Sequence, residues 1–216
     1  MIELFISAIA AFFVVIDPVG CAPIYAGLSA GASRRQAVTM AARACLISAA
    51  ILLVFALFGE QLLGALHIEL DAFRIAGGIM LFVIAIEMVF EKRTKRREER
   101  AEKVLAQHAE HHAQAPQVVD DVSVFPMAMP MIAGPGSIAT IMLLMSRAQG
   151  TEQTLAVLGA MLIVLLMTFA ALAAAGPLMR LLGDSVEAVI TRLLGVLLAA
   201  LATQYVIDGV KSALMS

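Results

Sequence analysis

Six long apolar segments dominate the chain, and each is close to the roughly 20 residues that a helix needs to cross a bilayer. Hydrophobic residues make up 61% of the 216 residues and charged residues only 15%, whereas soluble domains carry about 25% charged residues. We therefore predict an all-α membrane protein with six transmembrane helices in a lipid bilayer. The fifth segment exceeds one crossing, so we expect it to be tilted or to protrude. The segments are Leu4–Leu28, Ala44–Leu66, Ala72–Phe90, Val124–Met145, Leu155–Leu182 and Val189–Val210.

The basic residues concentrate on one side of this predicted bundle. Six crossings place the first, third and fifth connections on the same side, where the third alone holds seven Lys and Arg residues between Lys92 and Lys103. The second connection, on the other side, carries Glu60, Glu69 and Asp71. Because basic loops stay in the cytoplasm, we expect an inner-membrane protein with both termini outside. The charges are segregated by loop and form no patch, so we predict no nucleic-acid partner.

The long hydrophilic connection offers few ligand groups. Its first part, Glu91 to Lys103, alternates in charge and is expected to continue the third helix. Farther on, His108 and His112 have a spacing that would suit a metal on a helix, although a solvated His-rich linker needs none. We predict neither a metal site nor a cofactor. Cys21 and Cys45 lie in apolar runs and are expected to be buried thiols rather than a disulfide.

The first apolar segment is interrupted in its middle by residues that a buried helix normally avoids. Residues 17–23 have the sequence Asp-Pro-Val-Gly-Cys-Ala-Pro. Pro18 has no N–H and its ring collides with the preceding turn, so the helix must break or kink near Asp17. The backbone groups that a break frees cannot face lipid, and they must be covered by protein or line a wet cavity.

The fourth segment carries a similar interruption. Three prolines and two glycines lie between Phe125 and Ile138, and one of these prolines, Pro135, follows Pro18 by 117 residues. Proline and glycine are common in membrane helices. Two such clusters at matched positions nevertheless favour a shared structural role.

A common offset relates the two halves of the chain. Arg74 and Gly77 recur as Arg192 and Gly195, 118 residues later. Chance matches of small residues in apolar runs are the alternative explanation.

A repeat of this length has a geometric consequence. Residues 1–90 and 123–216 would each hold three helices and flank a cytoplasmic loop at 91–122. Because three crossings is an odd number, the second copy must enter the membrane from the opposite side. We therefore predict two inverted three-helix repeats, with helices 1 and 4 broken at the bilayer midplane.

Two broken helices provide complementary charges. The second halves would begin near Gly20-Cys21 and near Gly136-Ser137, where free N–H groups and a positive dipole end attract an anion. Ser137 can cap its half-helix or donate its hydroxyl to a ligand. The first halves end in free carbonyls that suit an ammonium group or a coupling cation. An anion site beside a cation site fits a zwitterion, so amino acids are the natural candidates, although other small polar solutes also fit.

Asp17 is the one formally charged residue deep in the first four segments. Carboxylates inside a membrane are costly and usually functional. Asp17 is therefore our candidate for binding a coupling ion, H⁺ or Na⁺, or for neutralising a substrate amine. The structural alternative is that Asp17 only caps the half-helix that follows it.

At these two clusters the sequence resembles the MarC family of bacterial inner-membrane proteins. The family has Asp-Pro-x-Gly-Asn-x-Pro in its first helix, matched here at 17–23, and Pro-x-x-x-Pro-x-x-x-Gly-Pro-Gly in its fourth, matched at 126–136. The resemblance covers nearly the whole chain outside the hydrophilic loop. It implies a six-helix inverted-repeat transporter similar to members that move glycine and alanine, with the binding region at the two breaks. One departure is Cys21, where the family has Asn, so specificity or coupling is expected to differ here.

We therefore predict a secondary transporter of small neutral amino acids that works by alternating access. The alternatives are an exporter of other small solutes, and a membrane scaffold or regulator whose basic residues 92–103 bind a cytoplasmic partner or anionic lipid. We expect no enzyme, because no nucleophile–base pair or metal-ligand set lies at membrane depth. The predicted substrate-binding residues are Asp17, Pro18, Gly20, Cys21, Pro23, Gly134, Pro135, Gly136 and Ser137.

Overall fold

The described part of the chain is entirely helical. The computed structural model describes residues 2–93, 95–99, 102–103 and 121–215, with side chains for all of these except 180–185 and 187. An all-helical architecture is therefore confirmed for these residues, whereas His108 and His112 lie outside them. The main helices are α1 (Ile2–Ile16), α2 (Pro18–Leu28), α3 (Arg34–Ala65), α4 (Leu70–Val89), α5 (Ser123–Ile132), α6 (Pro135–Met145), α7 (Gly150–Ala173) and α8 (Ala175–Met215).

These helices have the length and hydropathy of membrane spans. Within the described residues five spans qualify, one of them formed by α1 and α2 together, and there are six if α5 and α6 count as one bent span. Large apolar side chains such as Phe58, Phe82 and Leu166 are exposed on the outside of the bundle. Lipid-facing helices require such a surface, and the prediction of a multi-pass helical membrane protein is confirmed.

The boundary between the last two helices differs from our expectation. The fifth segment does not extend to Leu182, because α7 ends at Ala173 and α8 begins at Ala175. The sequence reason is Pro177, which cannot donate a hydrogen bond to α7 but is tolerated in the first turn of a new helix. The fifth span is therefore a helix of 24 residues, close to one ordinary crossing.

The charged stretch after α4 does not continue that helix, so this expectation is wrong. Phe90 caps α4, and Glu91 adopts a left-handed backbone with φ of 57°. The chain folds back far enough for Arg96 to form an ion pair with Glu87 on α4. Arg192 of α8 pairs with Glu91 and holds the turn from the other side. The described residues 92–93 and 95–99 are helical and are called the return segment below.

α4 and α8 pack against each other in opposite directions along their length. Glycines make the close approach possible, because Gly78 faces Val206 near one end of the contact and Gly195 faces Met88 near the other. Small residues are typical of helix contacts in membranes, where apolar side chains gain little by leaving lipid. α1 contacts α6, α7 and α8, and the last residues of α1, Val14, Val15 and Ile16, are buried.

Candidate functional site

The first junction (residues 16–18) separates α1 from α2. Asp17 lies between the two helices with φ of 59° and ψ of 69°, a left-handed conformation that Asp tolerates better than most residues. Its carboxylate accepts a hydrogen bond of 3.0 Å from the N–H of Gly20, which caps the first turn of α2. The capping role that we considered for Asp17 is therefore present in the structure.

Gly20 is required by the position of this carboxylate. A Cβ at Gly20 would lie 2.3 Å from Asp17 Oδ2, far inside any contact distance. The absence of a side chain at Gly20 thus allows the Asp17 carboxylate to turn back over the start of α2.

The second junction (residues 132–135) lies between α5 and α6, which meet at an angle of 52°. α5 is an irregular helix in which Phe125 and Met129 have extended dihedral angles, and each of them precedes a proline. A residue before proline is driven out of the helical conformation, so the sequence itself causes these irregularities. Gly134 then passes so close to the carbonyl of Pro130 that a Cβ would lie 2.2 Å from its oxygen.

The two junctions are adjacent in space. A Cβ at Gly136 would lie 3.2 Å from Val15 Cγ1 of α1 and 2.7 Å from Ile84 Cδ1 of α4. The absence of a side chain at Gly136 leaves room for the start of α6 to approach these two helices closely. The interrupted parts of the first and fourth segments therefore lie close together.

Both junctions contain the same side-chain hydrogen bond. The Cys21 thiol donates to the carbonyl oxygen of Ile16 at 3.4 Å, and the Ser137 hydroxyl donates to that of Ile132 at 2.7 Å. Ser137 does not cap α6, which has no side-chain cap. The thiol of Cys21 bonds to the backbone of α1, and Cys21 does not line the cavity described below.

An arginine from the return segment joins the two junctions. The guanidinium of Arg97 lies 3.3 Å from Asp17 Oδ2 and 3.5 Å from each of the carbonyl oxygens of Ile16 and Met131. Arg97 and Asp17 are both buried, with 8% and 1% of their surface exposed. Asp17 is thus neutralised by a residue 80 positions away in the sequence.

Arg93 lies one helical turn earlier and also points inward. Its guanidinium donates to the carbonyl oxygen of Val15 at 2.6 Å and to the Met88 sulfur at 3.0 Å. Burial of the guanidinium, with a further contribution from the nearby charge of Arg97, lowers the pKa of Arg93 to about 10. Arg93 therefore stays positively charged at neutral pH.

A polar cavity of about 170 Å³ lies between the second junction and the return segment. Four predicted site residues, 134–137, line it, and Asp17 is reached through Arg97. Pro18, Gly20 and Cys21 are buried around the first junction, and Pro23 is half-buried a turn farther along α2. The cavity is lined by Ile84, Glu87, Arg93, Arg96, Arg97, Pro130, Met131, Gly134, Pro135, Gly136 and Ser137.

Sequence reasoning missed four charged members of this site: Glu87, Arg93, Arg96 and Arg97. The i, i+4 spacing of Arg93 and Arg97 was the available signal, because it places both on one face of a helix. The positive-inside rule accounts equally well for basic residues that face water, so this spacing alone did not indicate that they turn inward.

Helices of membrane-spanning length and hydropathy, arranged around a polar cavity, define a multi-pass integral membrane protein. Comparison with known families gives the particular group. The model of the MarC family of integral membrane proteins matches residues 2–214, and the chain belongs to this family.

Similar proteins occur in archaea and bacteria. A UPF0056 membrane protein of Methanocaldococcus jannaschii is 32% identical over 214 residues, with 99% of each chain covered. The UPF0056 membrane protein YvbG of Bacillus subtilis is also 32% identical, covering 98% of this chain and 94% of its own. The UPF0056 inner membrane protein YhgN of Escherichia coli (strain K12) is 30% identical, with 95% of each chain covered. No solved structure matches this chain.

Proposed function

We propose that this protein is a secondary transporter of small neutral amino acids, of the size of glycine or alanine, in the inner membrane. The observation that carries the proposal is the cavity at the second junction, where a helix N-terminus, arginines and a carboxylate face the same space. The localisation is supported by the relative in Escherichia coli, which is named an inner membrane protein.

The start of α6 is suited to a carboxylate. Pro135 has no N–H, and the N–H groups of Gly136 and Ser137 lie in the first turn, where no intrahelical acceptor exists. No side chain caps this helix. Free N–H groups and the positive end of the helix dipole together favour an anion at this point. The arginines of the cavity wall add to the same positive potential.

The same cavity offers acceptors for an ammonium group. The Glu87 carboxylate lines it while one of its oxygens pairs with Arg96, and the carbonyl oxygens of Ile16 and Met131 lie behind the guanidinium of Arg97. A cavity of about 170 Å³ far exceeds the roughly 10–15 Å³ that a single water molecule needs. A solute with a few heavy atoms and both charges therefore matches the site in size and polarity.

Alternating access between two inverted three-helix repeats is the mechanism we propose. Its first support is the pair of matching hydrogen bonds at the junctions, where Cys21 and Ser137 each reach back five residues. Its second support is the antiparallel contact of α4 and α8. The 118-residue offset relates Gly78 to position 196 in the second half and Val206 to Met88 in the first half. A repeat therefore predicts that position 196 lies near Met88, and the neighbouring Gly195 does face Met88.

Uptake into proteoliposomes tests the proposal directly. Labelled glycine and alanine should enter vesicles that contain the protein, and an imposed H⁺ or Na⁺ gradient should drive accumulation if that ion is coupled. Protein-free vesicles are the control. Uptake or exchange of other small solutes, without any amino acid, would refute the substrate class and favour the exporter alternative. Absence of uptake, exchange and ligand-induced thermal stabilisation with every amino acid would overturn the proposal.

A further inference from the structure

We propose that the guanidinium of Arg97 occupies the part of the cavity that is suited to a cation, and that it closes the cavity on the side of the return segment. Entry of a solute from this side then requires Arg97 to withdraw. This inference rests on the proposed transport function, of which it describes the regulation, and it stands on the position of Arg97 between the two junctions.

The surroundings of Arg97 form a cation site. α1 ends close to the guanidinium, and the carbonyl oxygens of Ile16 and Met131 each lie 3.5 Å from it. The C-terminal end of α1 carries a partial negative charge, and Asp17 adds a full one. A monovalent cation is the ligand that this arrangement attracts. The guanidinium therefore stands where a substrate ammonium or a coupling ion would otherwise be held.

The contacts of Arg97 favour an ion pair that another cation can displace over a permanent one. All three are long for charge-assisted hydrogen bonds, which are usually about 2.7–2.9 Å. A guanidinium can also bind a carboxylate through two parallel hydrogen bonds, but only one contact to Asp17 is present. Arg97 is thus held to the carboxylate by a single contact, and in our proposal another cation takes its place.

The contacts of the return segment would allow it to move as a unit about the turn at Glu91. It begins at the left-handed turn of Glu91, which Arg192 holds from α8. Arg93 then binds the carbonyl of Val15, and Arg97 reaches the adjacent end of α1. Both arginines contact the C-terminal end of α1, so a single movement of the return segment would release them together. The junctions would then become open to water on this side.

Cys21 provides a reporter that does not depend on transport. Its side chain is fully buried and donates to the Ile16 carbonyl, the same oxygen that Arg97 contacts. The chain has only two cysteines, so Cys45→Ala leaves Cys21 as the single thiol. The rate at which a water-soluble, positively charged methanethiosulfonate modifies Cys21 then measures access to the first junction.

In this background Arg97→Ala should accelerate the modification of Cys21 by at least about tenfold, since the charged contact that holds the closed state is lost. Lys95→Ala is the matched control: it removes the same charge from the same segment, but Lys95 is exposed. We expect its rate to stay within about twofold of the parent, because an exposed charge contributes little. Equal rates for Arg97→Ala and the parent, in folded protein, would overturn the inference.

If Arg97→Ala does not yield monodisperse protein, Asp17→Asn is a second variant that should open the cavity on the side of the return segment. The amide keeps an oxygen for the Gly20 N–H but removes the charge that attracts Arg97, so Cys21 should again react faster. An unchanged rate in monodisperse Asp17→Asn would likewise refute the closure.

Added glycine or alanine separates this inference from the proposed function. If amino acids are the substrates, they should slow the modification of Cys21 in the Arg97→Ala variant. If Arg97→Ala accelerates the modification of Cys21 but no amino acid slows it, closure by Arg97 is supported and amino acids are rejected as the substrates.

Discussion

Cys21 and Ser137 make equivalent hydrogen bonds: each side chain donates to the carbonyl oxygen five residues before it, at the end of the preceding helix. At each junction one carbonyl that has lost its helical partner is thus satisfied by a side chain from the next helix. Cys21 and Ser137 are both buried, so these bonds help to hold the two interrupted segments in place.

Removal of these donors should cost a modest amount of stability. Side-chain hydrogen bonds between helices in membranes are worth about 0.6 kcal/mol on average and up to about 1.7 kcal/mol. We therefore expect Ser137→Ala and Cys21→Ala each to lower the free energy of unfolding within this range, measured by thermal or denaturant unfolding in detergent. Cys21→Ser should preserve stability, because a hydroxyl donates more strongly than a thiol.

Thr203→Ala is the control for these variants, since it deletes a hydroxyl that bonds a carbonyl within an unbroken, exposed part of α8. Thr203→Ala should lower the free energy of unfolding less than Ser137→Ala does. A larger loss for Thr203→Ala than for Ser137→Ala would show that the junction bonds have no special role.

The two glycines of α2 should respond oppositely to alanine. At Gly20 a Cβ would lie 2.3 Å from Asp17 Oδ2, whereas at Gly27 nothing lies within 4 Å. Gly20→Ala must push the carboxylate away from its cap and from Arg97, and overpacking of this kind costs about 1–3 kcal/mol. Gly27→Ala should be neutral or stabilising by up to about 1 kcal/mol, through helix propensity. Unfolding midpoints of the pair measure this difference, and equal midpoints would contradict it.

The helix ends at the two junctions follow from local chemistry that is visible in the sequence. Pro18 and Pro135 lack the N–H that would continue the preceding helix, and Gly136 permits the close approach of α1. The same reasoning applied to Pro177 would have placed the end of α7 correctly, and the hydropathy of the following residues concealed this signal. Long apolar runs thus gave the helices, and Pro18 and Pro135 gave the helix ends at the two junctions.

The contact of Arg97 with Asp17 was beyond sequence reasoning. The two residues are 80 positions apart, and a basic loop has the same composition whether it faces water or turns into the protein. The turn that directs Arg97 inward occurs at Glu91, in a stretch without glycine or proline. Tertiary contacts, including the ion pair of Glu91 with Arg192, stabilise this conformation. No local sequence pattern predicts it.

The contact of α4 with α8 should tolerate no added side chain at Gly78. A Cβ there would lie 2.9 Å from the Ala202 carbonyl oxygen and 3.0 Å from the Val206 nitrogen, and backbone atoms cannot move aside. We expect Gly78→Ala to destabilise the protein by about 1–3 kcal/mol, which exceeds the gain in helix propensity of about 1 kcal/mol.

Gly64→Ala in α3 is the matched control for Gly78, because nothing lies within 4 Å of its Cβ position. It should unfold at or slightly above the parent midpoint. If Gly78→Ala proved as stable as Gly64→Ala, close packing of α4 on α8 would not be a source of stability.

Asp17→Asn should abolish gradient-driven accumulation while the protein stays folded. The amide oxygen still accepts from Gly20, but no charge remains to bind a coupling cation or to exchange Arg97 for a substrate ammonium. Asp71→Asn is the control, since Asp71 pairs with Arg74 in the same way at 3.1 Å but does not line the cavity. Uptake of labelled glycine under an imposed H⁺ or Na⁺ gradient, compared with exchange without a gradient, separates coupling from binding. Full accumulation by monodisperse Asp17→Asn would remove the carboxylate from the mechanism and leave it only its capping role.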